Sequence, residues 1–159
     1  MVVNSHLGPS LRQAWVGYRR RLDAELAAAG FDDHGFPDGR VLRLCLAAEG
    51  ATSSDIARGL SISRQGASKH VASLRDRGYV TLSPSPRDRR EKIVSLTPRA
   101  HEYLAAHHRA ARTIERQLRA ELGDKPFAAL SLLLDALGED GQPRLRDYLR
   151  RMSRFGDLE

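Results

Sequence analysis

One cysteine, three lysines and nine aromatic residues set the first limits on this sequence. No apolar run approaches the ~20 residues needed to cross a bilayer, so a membrane protein is not expected. Cys45, alone, makes no internal disulfide, which points to a reducing cytoplasm. The N-terminal MVVNSHLGPS has neither the basic start nor the apolar stretch of a secretion signal, and a cytoplasmic location is expected. No phosphate-binding loop or nucleophile motif occurs, and no two of the six histidines stand four residues apart. An enzyme built on histidine and carboxylate chemistry is therefore disfavoured, and neither a cofactor nor a metal is expected.

What is present suits one compact domain, or one domain with an oligomerisation arm. The 159 residues are 41% hydrophobic and 29% charged, and a chain of that size buries roughly 68–70% of its unfolded surface. The charge is unevenly placed. Between Arg58 and Lys92 stand nine basic and three acidic residues, a surplus of six that equals the net charge of the whole chain. A surplus confined to one segment is the electrostatic footprint of a polyanion binder.

The apolar spacing predicts helices at both ends. Leu11, Ala14, Trp15, Tyr18, Leu22, Leu26 and Ala29 form one helical stripe, and Gly30 is placed to end it. After the polar turn DDHGFPDG, a short helix carries Val41, Leu42, Leu44, Cys45 and Leu46. Thr52 and Asp55 resemble a capping box for a helix over residues 53–60, and Ser63 caps a further helix that runs to Arg77, with Gly78 beyond it. The period then changes. Tyr79–Leu82 and Lys92–Leu96 are β-branched runs flanking the polar SPSPRDRRE, which predicts a hairpin with a long exposed tip. Thr97-Pro98 opens a long helix striped by Ala100, Tyr103, Leu104, His107, Ala111, Ile114, Leu118 and Leu122. Phe127, Leu130, Leu133, Leu134 and Leu137 mark another helix after Pro126, and residues 144–154 a last basic one.

Helix, helix, turn, helix and hairpin over residues 37–97 is the order of a winged helix-turn-helix. Ala57 and Ala67 supply small residues where the two helices cross, and Val71 and Leu74 continue the inward face. Arg64, Gln65, Ser68, Lys69, Ala72 and Arg75 are left outward. Arginine matches the O6 and N7 of guanine, and glutamine the N6 and N7 of adenine, so this pair suits base edges. The fold class expected is mainly α with a small β-hairpin wing.

The stretch TSSDIARGLSISRQGASKHVASLRDRGYVTLSPSPRDRREKIVSLTPRA resembles the MarR family of dimeric bacterial transcription regulators. Its most specific element is Asp88-Arg89-Arg90 followed by Leu96-Thr97-Pro98. The resemblance implies a winged helix-turn-helix, a homodimer formed through N- and C-terminal helices, and a recognition helix over residues 63–77. It divides the chain into a dimerisation helix and linker (1–36), a DNA-binding lobe (37–97) and C-terminal dimerisation helices (98–159). The implied DNA contacts are Ser63, Arg64, Gln65, Ser68, Lys69 and Arg75 on the helix, with Arg87, Asp88, Arg89 and Arg90 in the wing. A pocket involving Trp15, Tyr18 and the start of the long helix would take a small phenolic or aromatic effector. Five positions depart from the family pattern. Ser61 stands where a glycine usually makes the turn, Ser85 replaces a wing aspartate, Leu82 and Ser83 replace charged residues, and Ala100 replaces a glycine. Gly59 lies inside a helix, where glycine costs about 1 kcal/mol against alanine.

The function expected is sequence-specific binding to a pseudo-palindromic duplex operator, with repression as the usual outcome in the family. The alternatives are a non-specific architectural DNA binder and a redox-responsive regulator acting through Cys45, although relatives that sense peroxide do so through a cysteine nearer the N-terminal helix. The wing supplies a direct test. Asp88 can hold the tip in shape while one arginine enters a narrow, strongly negative minor groove, a role the resemblance gives to Arg90. Alanine substitution at Arg90 is expected to cost more affinity than at Arg87 or Arg89 and to erase a preference for A·T flanks. Three similar small losses would show a merely basic loop.

Overall fold

Helical periodicity at the ends and a β-branched centre become six helices and three strands among the described residues. The computed structural model describes residues 7–33, 35, 38–48, 50–86 and 90–138. The elements are α1 (Leu7–Ala28), α2 (Asp38–Ala47), β1 (Ala51–Thr52), α3 (Ser53–Leu60), α4 (Arg64–Asp76), β2 (Val80–Pro84), β3 (Lys92–Leu96), α5 (Pro98–Leu122) and α6 (Asp124–Gly138). The chain divides into two units, residues 1–111 and 112–159.

In the first unit, α1 turns Leu22 and Leu26 inward and ends as expected. Gly30 adopts φ +86°. Its N–H donates to the Ala27 carbonyl at 3.0 Å and that of Phe31 to Leu26 at 2.9 Å, a Schellman closure that satisfies two terminal carbonyls. The predicted capping box is present. The Thr52 hydroxyl accepts from the Asp55 N–H at 3.2 Å, and the Asp55 carboxylate accepts from the Thr52 N–H at 3.0 Å. Ser63 caps α4 by accepting the Gly66 N–H at 3.0 Å, and Gly78 follows with φ +76°.

The wing is a three-stranded antiparallel sheet of order β1-β3-β2. β2 and β3 pair with Val80 opposite Leu96 and Pro84 opposite Lys92. The sequence reading missed β1, whose two residues pair Ala51 with Val94 and Thr52 with Ile93. A two-residue strand has no period to read, and Thr52 serves as both ladder residue and helix cap. Leu26, Leu42, Ile56, Leu74, Tyr79, Val80 and Val94 form the core of this unit, each large aliphatic side chain contributing about 1.5–3 kcal/mol. Ala57 and Ala67 are buried as expected. Gly59 also gains a reason: a Cβ there would lie 2.9 Å from Leu44 Cδ1, so the glycine admits the α2 leucine.

α5 opens with Thr97 as cap and Pro98 first in the helix, and the Thr97 hydroxyl donates to the Gly78 carbonyl at 2.7 Å. Its buried line is Ala100, Tyr103, Ala106, Ala110 and Ile114, so two alanines replace the expected Leu104 and Ala111 as fully buried positions. In the second unit, Gly123 (φ +86°) ends α5 and α6 starts at Asp124. That is two residues before Pro126, because proline is tolerated in a first turn, where its missing N–H has no helical partner. Arg119 lies 4.9 Å from the centre of the Phe127 ring and 3.4 Å from Asp124. α6 has no buried residue, and Leu130, Leu133, Leu134 and Leu137 are between 40% and 60% exposed. The helix expected over residues 144–154 lies outside the described residues.

Ser61 is the one described non-glycine residue with positive φ (55°, ψ 43°), at the turn between α3 and α4. A left-handed conformation costs an L-residue roughly 1–2 kcal/mol, partly offset by the greater unfolded freedom of glycine. Ser61→Gly is expected to stabilise the protein by about 0.5–1 kcal/mol, a rise in Tm of about 1–4 °C. An unchanged or lower melting midpoint would show that the serine makes a compensating contact.

Candidate nucleic-acid interface

The α3–α4 turn projects one face of α4 away from the core. Ala67, Val71 and Leu74 are inward and buried, while Arg64, Gln65, Ser68, Lys69 and Arg75 are exposed. Ser63 is exposed too, but its hydroxyl is engaged as the helix cap. Between α4, the start of α3 and the base of the wing runs an open groove of about 390 Å³. Ser54, Arg64, Ser68, Arg75, Arg90 and Glu91 line it, with Lys92 at its edge. Gln65 and Lys69 lie off this lining, on the next strip of the helix. Four cations and one carboxylate face the groove, and the positive ends of α3 and α4 add to them, since unpaired N–H groups at a helix start favour phosphate.

Of the wing residues, Arg90 is exposed and lines the groove, whereas Arg87, Asp88 and Arg89 lie outside the described residues. Arg64 is not loose. Its Nε donates to Ser54 Oγ at 2.9 Å, a second guanidinium nitrogen contacts the same hydroxyl, and that nitrogen reaches Glu91 Oε1 at 3.1 Å. Ser54 in turn donates to Glu91 at 2.8 Å. Arg75 pairs with Asp76 at 2.9 Å. Ser54 and Glu91 were absent from the sequence-derived site, because their role arises from a contact 37 residues apart in the chain.

The other end of α4 is anchored by a charge cluster that sequence reasoning read only as a polar turn. Asp38 is buried, and its carboxylate accepts from Arg77 and from the Gly35 N–H, both at 2.7 Å. Arg77 also donates to the Asp33 carbonyl at 2.7 Å and, through Nε, to the Ser73 carbonyl at 3.2 Å in the last turn of α4. The hydrogen bond to Asp38 holds the Arg77 guanidinium pKa above its ordinary value. The Asp33 carboxylate accepts from the Tyr79 hydroxyl at 2.6 Å and from Arg99 at 2.9 Å. Burial pushes Asp33 up, but the Tyr79 hydrogen bond and the Arg99 and Arg77 charges outweigh it and hold the carboxyl below its usual range. Burial, then the bond to Asp33, pushes Tyr79 up to about 12, so its hydroxyl stays a donor. Tyr103 packs edge-on to both Phe31 and Tyr79, with ring centres 5.6 Å apart in each pair.

A second cavity, of about 130 Å³, lies beside this cluster. Its lining includes Trp15, Arg19, Gly35, Gly39, Arg40, Arg43, Tyr103 and His107. Trp15, with Tyr103 and His107 of α5, is on the lining. Tyr18 is not, although its ring stacks on Trp15 with centres 6.2 Å apart. Cys45 is 1% exposed, and burial pushes its thiol up to about 11. A thiol of that kind stays protonated near neutral pH and is a poor nucleophile. Among the described residues no group of three or more histidine, cysteine or acidic side chains comes together to hold a metal, and no helix is long and apolar enough to cross a membrane.

The MarR family profile matches residues 35–91. No curated protein matches the chain significantly by sequence. Among solved structures, the transcriptional repressor CouR bound to a 23-mer DNA duplex is 27% identical, with a TM-score of 0.71 over 86% of this chain and 95% of that one. MarR from E. coli in its apo form is 22% identical, with a TM-score of 0.66 over 84% of this chain and 98% of that one. The PcaV transcriptional regulator from Streptomyces coelicolor, in complex with its natural ligand, is 16% identical, with a TM-score of 0.68 over 88% and 96% of the two chains.

The environment of Cys45 has a chemical consequence. Alkylation by iodoacetamide at pH 8 is expected to be at least ~100-fold slower in the native protein than in urea. Comparable rates would show that the thiol is accessible and ionised, and would restore a redox role.

Proposed function

We propose that this chain is a MarR-family winged helix-turn-helix transcription regulator and works as a homodimeric repressor that a small effector releases from its operator. The observation that carries the reading is the cationic groove between α4 and the wing, with two helix starts facing it. A duplex seated there meets Arg64, Ser68, Arg75 and Arg90 from the groove, and Gln65 and Lys69 from the adjoining strip of α4. Phosphate contacts fix position and base-edge contacts carry the sequence information.

The segments 1–36 and 98–159 pair the subunits in this reading. The exposed leucines of α6 support it, because an apolar stripe of that length is not left in water by a stable monomer. The effector site is the cavity beside Trp15. Trp15 and Tyr103 offer aromatic faces, and Arg40 and Arg43 bring guanidinium groups to the same lining, where Asp23 pairs with Arg19 at 3.5 Å, so an aromatic compound bearing a negative charge fits its chemistry. Gly35 and Gly39 belong to that lining and flank Asp38, the residue that holds Arg77. A ligand there acts next to the anchor of the recognition helix.

Operator binding tests the whole reading. Two α4 helices on one face of B-DNA require half-site centres about 34–36 Å apart. With about four phosphates neutralised per subunit, log K should fall against log salt with a slope near about −7. Gln65→Ala is expected to lose about 1–3 kcal/mol on the selected site and to relax its base preference, whereas Arg75→Ala weakens all sequences about equally. Affinity that is flat with salt, or a monomer that binds as well, would overturn the proposal. Equal losses on selected and random DNA for Gln65→Ala would favour an architectural, non-specific binder.

A further inference from the structure

The groove holds a contradiction. A surface that attracts DNA gains nothing from a carboxylate, yet Glu91 is the one acid among the described residues lining this groove. Its oxygen is also not solvated at random: Oε1 accepts from Ser54 at 2.8 Å and from Arg64 at 3.1 Å. We infer that Glu91 and Ser54 are positioning residues for sequence reading, holding Arg64 across the groove so that one defined edge of its guanidinium faces the DNA. The inference rests on the DNA-binding reading above.

The geometry specifies which edge. A guanidinium presents five N–H groups in a rigid fork. Ser54 and Glu91 occupy the side made by Nε and the second terminal nitrogen. These contacts use Nε and one terminal nitrogen, so the other terminal nitrogen is the part of the fork available to a guanine acceptor or a phosphate. Arginine in free solution has many rotamers to lose on binding; one held at its side has already lost them. Ser54 and Glu91 come from separate elements, the start of α3 and the residue before β3. The orientation of Arg64 therefore depends on the wing being docked against the helix-turn-helix, so the wing contributes to base reading without touching a base.

Removing the carboxylate separates this role from simple charge. If Glu91 only repels DNA, Glu91→Ala raises affinity for every duplex. If it positions Arg64, the variant keeps or gains affinity for random DNA and loses it on the preferred site. The experiment selects sites from a randomised duplex pool with the wild-type protein, then measures binding of Glu91→Ala, Glu91→Gln, Arg64→Ala and the double variant Glu91→Ala/Arg64→Ala. The expected result is a drop of about tenfold or more in the ratio of selected-site to random-DNA affinity for Glu91→Ala, from loss of one good base contact. Glu91→Gln, which keeps an acceptor for both partners, should recover part of it. In the Arg64→Ala background Glu91→Ala should have no further effect on the ratio, since the two act as one unit. Equal tightening on both kinds of DNA, or an undiminished effect without Arg64, overturns the inference and leaves DNA reading intact. A wild-type protein that selects no site overturns the reading on which it stands.

Discussion

Everything α4 presents to a partner depends on one buried charge. Asp38 lies by the C-terminal end of α4, and among the described residues its ion-pair partner is Arg77. A buried ion pair adds little net stability against an apolar substitute, because desolvation offsets the attraction. What it fixes is geometry. Unpaired, the Asp38 carboxylate would cost several kcal/mol, so the loop, the last turn of α4 and the start of β2 are held in the one arrangement that lets Arg77 reach both Asp38 and the Ser73 carbonyl. Asp33 repeats the device one step further on, binding Tyr79 and Arg99 and so joining the loop to β2 and α5. Among the described residues no buried side-chain nitrogen or oxygen lacks a partner, which is the condition under which such a network specifies a single structure.

Both ends of α4 are thus fixed by arginines doing opposite work. Arg77 at the C-terminal end is turned inward and is spent on the fold. Arg64 at the N-terminal end is turned outward and clasped only along one side. A net positive segment is needed to draw in a polyanion, but counting charge does not distinguish these two. Of the described basic residues between Arg58 and Lys92, Arg77 is the one anchored to a buried carboxylate. In the proposed reading, the field that meets DNA is that of the other surface cations, shaped by Glu91 and Asp76.

This is where sequence reasoning reached its limit. The caps at Thr52, Ser63 and Thr97, the small residues at the helix crossing and the inward face of α4 were legible because each is set by neighbours three or four positions away. β1 was not, since two residues carry no alternation. The charge cluster was not, because DDHGFPDG has the composition of a turn and its partners stand 39 to 66 residues later. The same holds for the Ser54–Arg64–Glu91 contact. A stripe identifies the face of α1 but not which aromatic on it borders a cavity, and Trp15 does where Tyr18 does not. Gly59, a cost without benefit when read alone, became intelligible once Leu44 was seen against it.

If the second cavity is the effector site proposed above, its position links these local facts to control. Gly35 and Gly39 border it, and the Gly35 N–H donates to the same Asp38 oxygen that receives Arg77. Tyr103 is both a wall of the cavity and the ring wedged between Phe31 and Tyr79. A ligand that moves either glycine or Tyr103 therefore acts on the groups that orient the end of the recognition helix. A small displacement suffices, because a hydrogen-bonded ion pair at 2.7 Å and an edge-on aromatic packing have no continuous range of equally good positions. The free energy available for release is bounded by the difference in ligand affinity between the two arrangements. An effector that fills the cavity without disturbing Gly35, Gly39 or Tyr103 should bind tightly and still leave the protein on DNA.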